Sequence, residues 1–341
     1  MTRVGFVDSG LGLTGYADAL ARALPGAELV LAMDPDHSPY GALSSARIVE
    51  RTLASVRAAL DEGAQAIVIA CNTASVHALD AVRAAVDVPV IGTVPAVRSA
   101  SRLRGPFAVW ATEATTGSPY QQRLIAQFAA DLPVTEVACP GLASAIDHAD
   151  EAGIAAAVDA AAGRTPADAR AVVLGCTHYG LVADRIAAAL PPGTAVLDSP
   201  EPVARQTVRR LAAEGIIGER EAAAALARLT PAGNNAPGAD ALSPDAPGPG
   251  TLSTDAPRPA PSIDPPGSDV SRPDALDASA PAGTTVPSAG TDAATPAGRT
   301  GRTGTTGRAG AARVIAVLHS GRPGPLPAAL HAFPAGRRLL A

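Results

Sequence analysis

Short apolar runs recur along this chain, each ending in a small or polar residue and each followed by a longer amphipathic stretch. "RVGFV" (3–7) reads as a strand entering the loop "DSGLG", and helical spacing follows over Thr14–Leu24. Glu28–Met33 reads as a second strand leading to "DPDHSPYG". Ser44–Glu62 then reads as a long helix with Ser44 as its N-cap. A strand over Ala66–Ala70, a loop at Cys71, a helix to about Val86 and a strand at "VPVIG" (88–92) repeat the alternation. Further on, "FAVWAT" (107–112), "VTEVAC" (134–139), "AVVLGC" (171–176) and "TAVLD" (194–198) read as strands separated by helical stretches. Strand, loop and helix in regular succession predict mostly parallel sheets covered by helices.

The expected architecture is α/β, with two similar open, mostly parallel-sheet domains. The first domain is expected to comprise 1–97 with about 206–230 and 312–341, and the second 98–205. Between 231 and 311 the chain becomes Pro, Gly, Ala, Ser, Thr and Asp with almost no large apolar residues. Such a segment cannot bury enough surface to offset the entropy of ordering, so it is predicted to be a disordered insertion. The run "ARVIAVLHSG" (312–321) then reads as one more strand for the first domain; the competing reading is a long disordered tail with a short apolar end.

Composition narrows the function. Of 341 residues, 47% are hydrophobic, enough for two domains of ordinary size. The formal charge of −5 and pI near 5.7 argue against a nucleic-acid-binding surface. No apolar run approaches the ~20 residues that span a bilayer. The N-terminal "MTRVGFVDSG" shows neither the apolar core nor the cleavage site of a signal peptide, so the expected location is the cytoplasm. Three cysteines with no Cys-x-x-Cys pair argue against a disulfide framework and against zinc. All 27 Lys+Arg residues are arginine. That excludes a lysine Schiff base, hence pyridoxal-phosphate chemistry on an internal lysine, and a Walker A loop.

The strongest chemical signal is a repeated one. "AIVIACNTAS" (66–75) and "AVVLGCTHYG" (171–180) each drive a buried strand into a cysteine followed by small polar residues. In an open α/β sheet, residues just beyond the strand ends line the ligand crevice. Backbone N–H groups at a helix start are expected to lower the pKa of a thiol placed there. Cys71 and Cys176 share this context, with Thr73 and Thr177 in parallel positions and His178 placed to tune Cys176. Cys139 is followed by Pro140 and apolar residues and is expected to be packing. Two thiols facing across a cleft can remove a proton from one face of a carbon and deliver one to the other, which inverts that carbon. Asp8, Ser9, Tyr40 and Gly41 also fall at strand ends.

Taken together, "DSGLG", "PYGALS", "ACNTAS", "VPVIG", "ATEATTGSPY", "ACP" and "LGCTHYGLV" resemble the glutamate racemases of the cofactor-independent aspartate/glutamate racemase superfamily. The resemblance covers roughly residues 3–210 and the final strand. It implies two α/β domains around one site and interconversion of L- and D-glutamate without a cofactor, supplying D-glutamate for peptidoglycan. It further implies Cys71 and Cys176 as the catalytic acid/bases, assisted by Asp8 and His178 respectively. Ser9, Tyr40, Gly41, Asn72, Thr73 and Thr177 would hold the ammonium and carboxylates of the substrate, and Thr115 would touch it as well. The family's glutamate after the "ACP" strand falls on Asp147. The first loop is one residue shorter than the family pattern, Leu43 stands where lysine is common, and the insertion is not a family feature. The alternatives are a relative acting on aspartate or another amino acid, and a binding or regulatory homologue that has lost activity. The expected partner is the small-molecule substrate, with neither nucleic acid nor membrane; a homodimer is allowed by this reading and not required by it.

Overall fold

The computed structural model describes residues 1–229 and 312–341. The expected insertion at 231–311 lies outside the described residues. Among the described residues, ten strands form two sheets. In chain order they are β1 (Arg3–Asp8), β2 (Glu28–Met33), β3 (Ala66–Ile69), β4 (Val90–Gly92), β5 (Phe107–Ala111), β6 (Val134–Ala138), β7 (Ala171–Leu174), β8 (Ala195–Leu197), β9 (Arg313–His319) and β10 (Arg322–Pro323). The first sheet has the order β10-β9-β2-β1-β3-β4 and the second the order β6-β5-β7-β8. Every pairing is parallel except that of β9 with β10.

The two-residue side-chain period of a strand sorts the core into layers. Phe6, Leu31 and Val68 of the first sheet join Trp110, Val172 and Leu174 of the second in one continuous apolar cluster. The alternate residues face outward: Val7, Val30 and Ile69 pack under the helices Ser45–Asp61 and Asn72–Ala85. Phe107, Val109 and Val173 form a separate cluster on the far side of the second sheet. The helices Leu13–Ala23 and Pro200–Ala213 lie against each other in the shared layer through residues such as Leu20 and Val208.

Several predicted strands end earlier than their apolar runs. The run at 171–176 leaves the sheet after Leu174, with one last ladder bond from Gly175 N to Trp110 O (2.7 Å). The run at 134–139 ends at Ala138, and Cys139 N bonds Ala111 O (2.8 Å). Apolar character persists beyond the ladder because these residues wall a cavity.

The strand read after the insertion is β9, and it pairs with β2. A bulge places Ile315 as an extra residue opposite Leu29 and Val30. This lets Val314 and Val317, three apart, both reach the shared core. A two-residue turn, Ser320–Gly321, joins β9 to β10; both residues have positive φ (50° and 82°), the conformation that suits the twist of a tight hairpin.

Candidate active site

Cys71 and Cys176 occupy equivalent positions in the two sheets. Each is the extended residue (φ −134°, ψ 121° and φ −129°, ψ 135°) immediately before a helix: Asn72–Ala85 after β3, and the 3₁₀ turn Thr177–Val182 after β7. Between them lies a cavity of about 290 Å³. Asp8, Ser9, Tyr40, Gly41, Cys71, Asn72 and Thr73 line it from the first sheet, and Thr115, Cys176, Thr177 and His178 from the second. These include every residue singled out above for binding or chemistry. A larger open depression, about 510 Å³, lies beside the helices Leu142–Asp147 and Glu151–Ala162, and shares only Pro140, Gly141 and Ser144 with the cavity mouth.

Each thiol has its own titratable partner. Asp8, at the last position of β1, is fully buried. Its carboxylate accepts hydrogen bonds from Ser9 N (2.7 Å) and from the Thr177 hydroxyl (3.2 Å) across the cavity, and it interacts electrostatically with the Cys71 thiol. Burial pushes Asp8 up to about 6, against the lowering effect of His178, Cys71 and the Ser9 N–H. Burial also pushes the Cys71 thiol up, and the charge of Asp8 pushes it further. The helix start was expected to lower this pKa. Ala74 N–H does pull in that direction, but desolvation and the neighbouring carboxylate outweigh it, so Cys71 rests as a thiol.

On the other face, His178 Nδ1 lies 3.7 Å from Cys176 Sγ and Nε2 lies 3.0 Å from Asp147 Oδ1. Burial disfavours the imidazolium, but the charge and hydrogen bond of Asp147 prevail, and the net shift of His178 is upward. Asp147 is held below its ordinary value: burial opposes this, and His178 and Leu11 N–H (2.9 Å) outweigh the burial. A protonated His178 thus presents a donor to the Cys176 sulfur.

The loop from Ser9 to Gly12 threads between these groups. A Cβ on Gly12 would collide with Thr177 Oγ1, the Asp8 carboxylate and the His178 ring, so only glycine fits. Asn72 donates from Nδ2 to Gly175 O (2.7 Å), joining the two halves. Its buried Oδ1 has no partner among the described residues, so an acceptor is left for a ligand donor. Cys139 is buried at the cavity wall, its thiol 3.5 Å from Val137 O and pushed up to about 12 by burial, with Arg164 pulling the other way. Among the described residues no cluster of His, Cys, Asp or Glu is arranged to hold a metal, and no helix is long and apolar enough to cross a membrane.

The Asp/Glu/Hydantoin racemase family matches residues 8–207. The chain belongs to that family. A glutamate racemase of Herpetosiphon aurantiacus is 34% identical over 232 residues, which cover 67% of this chain and 91% of that protein. Among solved structures, Escherichia coli glutamate racemase, in complex with L-glutamate and activator UDP-MurNAc-Ala, superposes with a TM-score of 0.59. It is 33% identical, over 62% of this chain and 82% of that one. The Thermus thermophilus glutamate racemase, in complex with β-chloro-D-alanine, gives 0.52 at 29% identity, over 67% and 93%.

Within this racemase-family site, some participants were not singled out from the sequence. Thr112, whose hydroxyl lies 3.0 Å from that of Thr115, lines the cavity with Glu113 and Ser144. Asp34 lies behind the wall and accepts the Tyr40 hydroxyl (3.0 Å), so that hydroxyl is engaged within the protein. A strand-end carboxylate six residues before a Tyr-Gly pair was the available signal for Asp34. Gly41 contributes backbone alone, and a Cβ there would stand 2.8 Å from the Ala114 Cβ on the opposite lip. Gly41→Ala is therefore expected to force the lips apart and lower kcat/KM about tenfold or more, with the fold retained. Steady-state racemisation kinetics beside a circular-dichroism melt check this.

Proposed function

We propose that this protein is a glutamate racemase that interconverts L- and D-glutamate by transferring protons between Cα and two cysteines. The observation that carries the reading is the pairing of each thiol with its own titratable partner, Asp8 for Cys71 and His178–Asp147 for Cys176, on the walls of one cavity. The naming of the matched relatives as glutamate racemases, one of them holding L-glutamate, supports the choice of substrate.

In the proposed step one sulfur, as thiolate, takes the α-proton. The electron pair left on Cα delocalises into the adjacent carboxylate, and the opposite thiol delivers its proton to the other face. The first sulfur ends as thiol and the second as thiolate, so the reverse reaction starts from the exchanged state. With no pyridoxal ring to spread the charge, the enolate-like carboxylate must be stabilised by fixed donors in a dry cavity. Ser9, Thr73, Thr177, Thr115 and the Gly41 backbone line the cavity for that role, and the free Asn72 Oδ1 suits the substrate ammonium. The first sheet, carrying 1–97, about 206–230 and 312–341, and the second, carrying 98–205, act in this proposal as two lobes around the substrate. Supply of D-glutamate for peptidoglycan and a cytoplasmic location belong to the same proposal.

Isotope incorporation tests the mechanism. In D2O, D-glutamate formed from L-glutamate is expected to carry deuterium at Cα from the first turnover, while recovered L-glutamate stays protiated at early times. Mass spectrometry of the separated enantiomers reads both. Substantial protium in the first D-glutamate would mean that one base serves both faces, and no turnover of glutamate at all would remove the functional reading.

A further inference from the structure

We propose that Asp34 is a positioning residue for the substrate-binding segment Pro39–Gly41, and that the hairpin following β9 is built into the site through it. This rests on the glutamate racemase reading only in taking the cavity beside Tyr40 and Gly41 as the substrate site.

Asp34 directly follows β2 and is fully buried, yet its carboxylate gathers donors from four parts of the chain. Arg51, on the helix Ser45–Asp61, gives Nε to Oδ2 (2.9 Å) and Nη2 to Oδ1 (3.1 Å). The Tyr40 hydroxyl donates to Oδ2 (3.0 Å), His37 Nδ1 lies 3.0 Å from Oδ1, and the Ser320 hydroxyl donates to Oδ1 (2.6 Å). His37 Nε2 in turn lies 3.1 Å from Arg47 Nη2, a donor, which assigns the His37 proton to Nδ1 and makes it a donor to Asp34. Burial alone would raise the pKa of Asp34, but these donors hold it down to about 2, so the carboxylate keeps its charge throughout the neutral range.

One arm of this network faces the cavity. Tyr40 lines the cavity while its hydroxyl is tied to Asp34, so the place of the ring, and of Gly41 after it, is set from behind the wall. The opposite arm comes from a residue 286 positions away in sequence. Ser320 holds φ at 50°, a left-handed conformation unusual for a residue with a side chain. Its N–H bonds Met33 O (2.7 Å), its hydroxyl accepts Asp36 N–H (3.4 Å), and Arg322 forms an ion pair with Asp36. The turn thus clamps both Asp34 and the loop that leads to Tyr40. Ser320 does two things at once: its left-handed backbone closes the β9–β10 hairpin, and its hydroxyl and N–H tie that hairpin to the residues leading into the substrate-side loop.

The closing experiment separates positioning from stability. Ser320→Gly relaxes the left-handed residue, because glycine adopts that φ freely, and removes the hydroxymethyl side chain with its bond to Asp34. The melting temperature is expected to stay level or rise, KM for L-glutamate to rise roughly three- to tenfold with a smaller change in kcat, and hydrogen exchange to quicken over 38–43 but not over 72–85. Asp34→Asn is expected to raise KM further. Ser320→Gly added to Asp34→Asn should raise it little more, since the carboxylate that carries the effect is already gone. An unchanged KM and unchanged exchange in Ser320→Gly, or strictly multiplying effects in the double variant, would overturn the proposal. If the wild-type protein does not turn over L-glutamate, the functional reading fails separately, and exchange over 38–43 still decides whether Asp34 and Ser320 hold the loop.

Discussion

Cys71→Ala and Cys176→Ala are each expected to lower racemisation by about 10³- to 10⁴-fold, the upper range for loss of a positioned acid or base. On the proposed mechanism each substitution removes the proton carrier of one face. The two losses arise differently. Cys71 is a buried thiol beside a carboxylate, so Cys71→Ala removes the resting proton donor and leaves Asp8 without its sulfur partner. Cys176 stands 3.7 Å from a histidine whose protonated form Asp147 favours, so Cys176→Ala removes the sulfur that this imidazolium serves. Cys139→Ala is the control. Cys139 is buried, with a thiol pushed up to about 12 and a carbonyl as its hydrogen-bond partner, and its loss should leave turnover within about twofold. Kinetics of the three variants, each shown to be folded by calorimetry, make the comparison. A folded Cys139→Ala without activity beside an active Cys176→Ala would transfer the role to the wrong sulfur and sink the assignment.

Asp8→Asn is expected to cost about 10²- to 10⁴-fold in kcat/KM while leaving the protein as stable at neutral pH, or more so. The two effects have one cause. Burial raises Asp8 from the ordinary 3.8 to about 6, so the folded protein binds this proton more tightly than the unfolded chain does. The favourable contribution of the protonated form is therefore complete below about pH 3.8. It is lost as pH rises through about 6, a difference of about 3 kcal/mol for an isolated group. At pH 7 the wild-type protein carries that cost as a buried carboxylate, and asparagine does not. On the proposed mechanism catalysis needs the charged form, because a carboxylate can draw the Cys71 proton toward itself. The acid limb of the wild-type kcat/KM profile should accordingly fall away below about pH 6 and be absent from the residual activity of Asp8→Asn. A variant that melts well below wild type at pH 7 and keeps the same acid limb would show that Asp8 serves packing alone.

Much of the architecture was legible because its causes are local. Short continuous apolar runs separated by amphipathic stretches bury their surface as sheets covered by helices, and the described residues have that form. Strand ends were less legible. The runs at 134–139 and 171–176 stay apolar beyond the ladder, since cavity walls and strands draw on the same residue types. The cavity-lining residues were visible as motifs, because a polar residue just past a buried strand has few places to go other than the crevice.

By itself the sequence determined the α/β class, the equivalence of Cys71 and Cys176, and the exclusion of lysine-dependent chemistry, for these follow from residue type and spacing along the chain. Only the tertiary structure decided what depends on distance through space. It placed Thr177 on Asp8 and Asp147 on His178, set the Cys71 thiol high where the helix start had pointed low, and joined Ser320 to the Tyr40 loop through Asp34. Desolvation and charge–charge interaction act through space between residues far apart along the chain, 31 positions for Asp147 and His178 and 169 for Asp8 and Thr177, and no pattern of neighbours along the chain encodes those distances.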